Sequence, residues 1–320
     1  MNKTTKKKLL NYVVAPLIMV LLLVLIYRQI SSKGNLNRQW SDFVMHWHAG
    51  DKLLLSCVVL LAPLNWMMEA LKWKLLLQKI QPLSFGRALA STLTGISFSI
   101  VTPNKIGDFA GRILYLENRN KLRAAIATLV SNLSQTMVTC IFGIAGLVYF
   151  NIRYPGTWPM LTLAVAALSS VCLGFLYLNI DKVAGWAEHK AWLRKVIVAV
   201  RILKRYSKRD LLQLLLISAG RFCIYNFQFL LLANVLGAGL PWAAGFLVSG
   251  LMFWMITVIP SFFLADLGVR WFVAGLLFTD TGLAANSLNI LASSSMIWLL
   301  NLALPAIVGS VLLLTVRLSK

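Results

Sequence analysis

Long apolar runs separated by short basic segments set the pattern of this chain. Runs at 9–27, 53–76, 124–150, 158–178, 211–236 and 288–316 each approach or exceed the roughly 20 apolar residues that cross a hydrocarbon core. They predict six full membrane spans. Two further apolar regions fit this scheme poorly. Residues 87–102 are short for a span and rich in Ser, Thr and Gly, and the segment from Pro103 to Gly107 interrupts them before a second short helix reaching about Leu116. In the same way 242–258 runs into Pro260, and a second short helix covers about 265–278. Each region predicts two half-helices, with Thr102, Pro103 and Gly107 at the first break and Pro260 and Gly268 at the second.

Loop charge then orients the spans. The N-terminal lysines, Lys72, Lys74 and Lys79, the group Arg119, Lys121 and Arg123, the basic segment 182–209, and Arg317 with Lys320 belong on the cytoplasmic side under the positive-inside rule. This holds if 87–116 enters and leaves from the cytoplasm while 242–278 enters and leaves from outside. A pair of short spans gives the same parity. The short, polar first halves favour re-entry, which is tolerated where the backbone is buried in protein or lines a watery cavity. A span, a broken hairpin and a span therefore precede the basic segment, and the same order follows it upside down, as in an inverted repeat.

The expected fold is all-α: a polytopic membrane protein of about six full spans plus two broken re-entrant helical hairpins. It forms one domain, divided into a first span with an outer interfacial segment (1–52), a first half (53–180), a basic cytoplasmic interfacial helix (181–210) and a second half (211–320). Both termini are expected in the cytoplasm, in a cell (inner) membrane. In the basic segment Trp186, Leu193, Ile197, Val200 and Leu203 recur at helical spacing between Lys and Arg, which predicts contact with anionic inner-leaflet lipids.

Composition agrees with the membrane reading: 59% of residues are hydrophobic, 13% are charged and the mean hydropathy is +0.76. The formal charge of +21 lies mostly between apolar runs, so nucleic acid is not an expected partner. Cys57, Cys140, Cys172 and Cys223 sit inside apolar segments without metal-ligand spacing. The lysines before the first run imitate a signal peptide, but that run is long and ends at Arg28 without a small-x-small cleavage pattern, so a retained span is expected. Neither 29–52 nor 181–210 is long enough for a soluble domain with its own core, which puts any activity in the membrane.

Charges inside the apolar sequence are the candidate chemistry, because they are expensive there and functional by default. Asp108 and Arg112, and Asp266 and Arg270, stand at i,i+4, so each pair shares a helix face and neutralises itself. The structural reading is an ion pair that makes a polar half-helix tolerable. The functional reading adds that the Asp caps its half-helix and the Arg attracts a lipid phosphate through its planar fork. Arg221, about ten residues into its span, demands a partner or a watery cavity, and Glu69 is the acid named first. Glu69 could instead serve Lys72. Asn132, Ser134 and Gln135, echoed by Ser293, Ser294 and Ser295, suit helix-to-helix hydrogen bonding. His46 and His48 at i,i+2 share no helix face; with Trp40, Phe43, Val44 and Trp47 they mark an interfacial helix, and neither a metal nor a cofactor is expected. No hydrolase, metalloprotease, P-loop or dinucleotide motif is present.

Several of these residues carry a resemblance. Asn65-Trp66, Glu69 to Trp73, Gly95 leading to Thr102-Pro103, Gly107-Asp108, Gly111-Arg112, Leu267 to Arg270, and 295–305 resemble the lysylphosphatidylglycerol synthase transmembrane region family, also called flippase-like, over nearly the whole chain. The chain departs from the family pattern at Asp108, where Glu is commoner, and at Trp271, where an acidic residue often follows. The resemblance implies translocation of a phospholipid or other polar lipid, without the soluble aminoacyl-transferase domain of the bifunctional members. The expected function is therefore transport of an anionic or phosphate-bearing lipid along a path formed by Glu69, Asp108, Arg112, Arg221, Asp266 and Arg270. Two alternatives stay open: a membrane-embedded enzyme acting on a lipid or polyprenyl phosphate, and an accessory protein that positions a separate lipid-modifying enzyme.

Overall fold

A computed structural model describes residues 36–100, 102, 107–188, 200–259, 263–279, 281–284 and 286–313. The predicted first span at 9–27, the break residues Pro103 and Pro260, the central part of the basic segment at 189–199 and the C-terminal residues 314–320 lie outside the described residues. Every regular element among the described residues is helical. In chain order these are α1 (Leu36–Ala49), α2 (Lys52–Leu77), α3 (Phe85–Ile100), α4 (Gly107–Ile113), α5 (Asn118–Arg153), α6 (Thr157–Leu178) and α7 (Ile180–Glu188). A 3-10 turn (Arg201–Arg205) leads to α8 (Lys208–Val235), α9 (Trp242–Val258), and α10 (Phe263–Ala274), which runs on as a π turn over Gly275–Thr279. The last helix, α11 (Ser287–Leu313), contains a π-helical stretch at Leu299–Ala303.

Among the described residues five helices, α2, α5, α6, α8 and α11, are long and apolar enough to cross a membrane. The chain is a multi-pass helical membrane protein. Side-chain caps fix three of the starts: Asp51 accepts from Leu53 N at 2.8 Å, Ser207 and Asp210 form a reciprocal capping box, and Asn286 accepts from Leu288 N at 2.9 Å. α3 has sixteen residues and α4 seven, or about 24 Å and 10 Å at 1.5 Å per residue. Neither reaches across a bilayer alone. Thr102 joins them: its hydroxyl donates to Phe98 O at 3.0 Å and accepts from Gly107 N at 2.7 Å. The first backbone N–H of α4 is thus met by Thr102, whereas Asp108 turns to Arg112.

The helices pair in a crossed pattern. α2 lies against α8, α3 packs on α4 and on the C-terminal part of α11, and α9 packs on α5. Small residues permit the approach. A Cβ at Gly111 would sit 2.6 Å from Thr94 O and 2.7 Å from Gly95 Cα. Gly146 faces the carbonyl of Leu247, and Gly309 faces that of Leu93, at contacts no side chain could enter. α6 packs chiefly on α5 and leaves Val165, Leu168, Val171 and Phe175 exposed as a lipid-facing surface.

Hydrogen bonds sort the loops into two ends. At one end Gln81 Oε1 accepts from Glu117 N and Asn120 Nδ2, Lys79 pairs with Asp210 at 3.4 Å, Arg205 donates to Lys79 O and Tyr206 to Leu76 O. This end gathers the basic segments. At the other end Tyr154 donates to Thr281 O and the His46 ring lies against Gly237, where φ is +79°. The apolar face expected of the basic segment is here partly covered by the protein itself: Ile202, Leu203 and Tyr206 are buried with Leu76 and Leu211, and Val200 packs against them.

Candidate functional site

The apolar core falls into two parts, and a polar layer separates them. Along α2, Val58 belongs to one core and Trp73, Leu76 and Leu77 to the other, with Asn65, Glu69 and Lys72 between. Along α5 the order is Val130, then Ser134 and Gln135, then Val138; along α8 it is Leu214, then Ser218 and Arg221, then Phe222. Three adjacent helices therefore place their polar residues at one level. Arg221 stands about 20 Å from the start of α8, near the middle of a helix about 42 Å long, so its charge cannot reach water by extending along the lipid.

Glu69 is the hub of this layer. Its Oε1 accepts from Arg112 Nη2 at 2.9 Å, and its Oε2 meets Lys72 Nζ at 3.0 Å and Arg221 Nη1 at 2.8 Å. Arg112 also donates Nε to Asp108 Oδ1 at 2.8 Å, and its guanidinium lies 5.5 Å from the Trp73 ring centroid. Five ionised side chains, three basic and two acidic, thus form one network with a single positive charge in excess. Removing such groups from water is repaid only where partners surround them. Arg112 Nη1 is buried without a hydrogen-bond partner among the described residues.

Amides extend the layer. Arg221 donates Nε to Asn65 Oδ1 at 2.7 Å and Nη1 to Gln135 Oε1 at 3.2 Å. Asn65 Nδ2 donates to Asn301 Oδ1 at 3.0 Å, Asn301 Nδ2 to Gln228 Oε1 at 2.8 Å, and Gln228 Nε2 to Val58 O at 2.7 Å. Asn301 sits in the π stretch of α11, and Asn65 lies two residues after Pro63, which interrupts the bonding of α2. The amide chain therefore joins two helices where each is irregular, the setting in which π bulges tend to occur at functional sites.

The second pair lines a cavity. Arg270 donates Nε to Asp266 Oδ2 at 3.0 Å and Nη1 to Tyr225 OH at 3.3 Å, while Trp298 Nε1 donates to the same carboxylate oxygen at 3.1 Å. The cavity has a volume of about 540 Å³ and is lined by Arg221, Arg270 and Asp266, with hydroxyls from Thr139 and Thr257 and apolar walls from Phe222, Phe253 and Ile256. Arg221 is the more open of the two cations, with 32% of its side chain exposed against 9% for Arg270.

The six charged residues expected to form a path thus fall into two connected groups. Glu69, Asp108 and Arg112 join Arg221 in one network; Asp266 and Arg270 line the same cavity as Arg221. Gly107 begins α4 at the first break, whereas Gly268 is helical, between the members of the second pair, so it marks no break there. A lone Gly costs a helix about 1 kcal/mol, which the pairing around it can absorb. Of the polar cluster in α5, Ser134 bonds to Ser218 and Gln135 serves Arg221, but Asn132 is exposed. Ser295 accepts from Trp271 Nε1 at 2.7 Å. Sequence reasoning gave no role to Asn301, Gln228 or Trp298. Their signal was a single polar or indole group per turn in an apolar span, with 218, 221, 225 and 228 tracing one face of α8.

These features define a polytopic helical membrane protein with a buried ionic layer beside a cavity lined by two arginines. The chain belongs to the family described as the lysylphosphatidylglycerol synthase TM region, whose sequence pattern matches residues 10–309. What is matched is the membrane region, and no catalytic domain is identified with it. No individual curated protein matches the chain.

Proposed function

We propose that the chain translocates a polar lipid whose phosphate-bearing headgroup enters the cavity between α5, α8, α9, α10 and α11. The observation that carries this reading is the cavity itself: it presents two arginines, Arg221 and Arg270, at mid-membrane depth beside apolar walls that suit acyl chains. Guanidinium binds phosphate through a planar fork. As an acid/base candidate for the embedded-enzyme alternative, Asp266 is poorly placed, since it is buried and already accepts from Arg270 and Trp298.

In this reading α3–α4 and α9–α10 are re-entrant hairpins of two inverted halves, α2 to α5 and α8 to α11. The packing supports it, because each hairpin lies on the last span of the other half, α3 on α11 and α9 on α5, while the first spans α2 and α8 pair directly. The basic end faces the cytoplasm, both termini lie there, and the lysines and arginines of 181–210 meet anionic inner-leaflet lipid. The test is reconstitution of the full chain with headgroup-labelled lipid and outer-leaflet quenching. Arg270→Gln should slow movement about tenfold or more, the loss expected for one charge-assisted hydrogen bond to phosphate. Movement at the normal rate in a folded variant would falsify the role.

A further inference from the structure

One cation of the ionic layer can give up its charge. Arg112 and Arg221 keep their protons at any pH a protein survives, whereas an amine can lose its own. Lys72 is that amine. Its side chain is 1% exposed, and an ionisable group so placed in a membrane is functional by default. Nζ meets Glu69 Oε2 at 3.0 Å and Ser218 Oγ at 3.4 Å, while Arg221 Nη1 holds the same carboxylate oxygen at 2.8 Å. Two cations thus compete for one atom of Glu69, and one of them, Arg221, lines the cavity. Lys72 stands towards the basic end, five residues before the end of α2, about 8 Å along its axis. Neither form of it lacks a partner. Charged, it donates to Glu69 and Ser218; neutral, it accepts from Ser218, whose hydroxyl can turn because either side can donate in its 3.0 Å bond to Ser134. The other charges around it are Arg221 from α8 and Arg112 from α4, the latter paired with Asp108. Among the described residues α3 and α5 bring only neutral groups to this layer, Ser91, Ser134 and Gln135.

We infer that the layer binds a proton together with each anionic headgroup, and that Lys72 is the residue that carries it. The inference rests on the transport reading for the headgroup and on the shared Glu69 oxygen for the coupling. With the cavity empty, the five ionised side chains leave one positive charge unbalanced in a layer shut off from water, and Arg221 competes with Lys72 for Glu69. An N–H bond of the Lys72 ammonium then breaks, its electron pair stays on Nζ, and the proton passes to water. A phosphodiester at Arg221 supplies the missing negative charge and draws the guanidinium away from Glu69 Oε2. That oxygen falls to Lys72, which takes a proton back. The empty and the loaded layer are then both neutral, so neither state leaves a net charge among apolar walls.

Proton uptake on binding tests this apart from transport. Dioctanoyl phosphatidylglycerol is titrated into the purified full-length chain in detergent, weakly buffered with an indicator dye, from near neutral pH up to the range where a free lysine ionises, about pH 10. The phosphodiester keeps its single charge throughout, so any proton taken up goes to the protein. Uptake should climb towards one proton per lipid as rising pH discharges Lys72 in the empty chain. Affinity should fall with it, by up to about tenfold per pH unit, because both measure the same linkage. Lys72→Met should lose the uptake, its layer being neutral already with Arg112, Arg221, Glu69 and Asp108. Lys72→Arg should lose it too yet keep tight binding at high pH, since arginine holds its proton. No uptake by the unaltered chain at any pH, undiminished uptake in either folded variant, or no binding of the lipid each overturns the inference. If reconstituted protein moves labelled lipid while binding takes up no proton, the transport reading stands and the coupling falls. If binding takes up the proton and no lipid moves, the reverse holds.

Discussion

At the scale of single residues the layer is unequal. Arg112 has two carboxylates, Asp108 and Glu69, whereas Arg270 has one, Asp266, and in place of the second a phenol, Tyr225. The first arginine is therefore fixed in structure and the second keeps charge to offer. Glu69 holds three cations at once and is nearly inaccessible. Glu69→Gln should destabilise the protein by roughly 3–5 kcal/mol, because Lys72, Arg112 and Arg221 would lose their shared counter-charge in a dry layer. Arg221→Gln should cost much less, about 1 kcal/mol, since Arg221 is partly exposed to the cavity and Glu69 keeps two partners. Thermal unfolding in detergent orders the two variants, and the reverse order would remove Glu69 from the centre of the network. The link between Arg221 and Glu69 was readable from the sequence because both are charges in apolar runs, where few other partners exist. The amides Asn65, Gln228 and Asn301 were not, since neutral side chains carry no such demand and fit ordinary helix contacts equally well.

At the scale of elements, hydropathy located what touches lipid and missed what extends beyond it. The run 124–150 was legible, but α5 spans Asn118–Arg153, about 54 Å, because its charged first turns continue the helix past the hydrocarbon. The π stretch in α11 left no trace in hydropathy; only Pro305 hinted at it. By contrast the short helices α3, α4, α9 and α10 were legible from Pro, Gly and short length, since these act on the backbone directly. The α3–α4 contact gives the sharpest check at this scale. Gly111→Val adds branched atoms where a single Cβ would already lie 2.6 Å from Thr94 O, so α4 must shift and carry Arg112 off Glu69. Overpacking of this kind costs typically 1–3 kcal/mol, and here the ionic layer adds to it. Gly86→Ala, on α3 itself, meets nothing within 4 Å and should leave the melting temperature unchanged or raise it slightly. Equal behaviour of the two variants would mean that α3 and α4 are not held by close contact.

For the whole molecule, the proposed inversion makes a claim about sidedness that packing alone does not. Polar contacts gather Lys79, Gln81, Glu117, Asn120, Arg205 and Asp210 at one end, while Tyr154 bonds to Thr281 and His46 lies against Gly237 towards the other, so in the proposed arrangement the hairpin α3–α4 opens from the basic end and α9–α10 from the opposite one. In the proposed inversion, exchange of hairpins between halves would bring Arg112 and Arg270 towards one layer from the two faces of the membrane, the arrangement that alternating access requires. Ser84, just before α3, and Trp242, at the start of α9, are both exposed and report the two entrances. In a background lacking Cys57, Cys140, Cys172 and Cys223, Ser84→Cys should react with an impermeant maleimide only from the cytoplasmic face, and Trp242→Cys only from outside. Labelling of both from one face would leave the halves parallel, and the crossed packing of α3 on α11 and α9 on α5 would then have to arise without inversion. Labelling of either from both faces in sealed vesicles would instead place it in a channel open through the membrane, which is incompatible with a layer closed by Glu69 and Arg221.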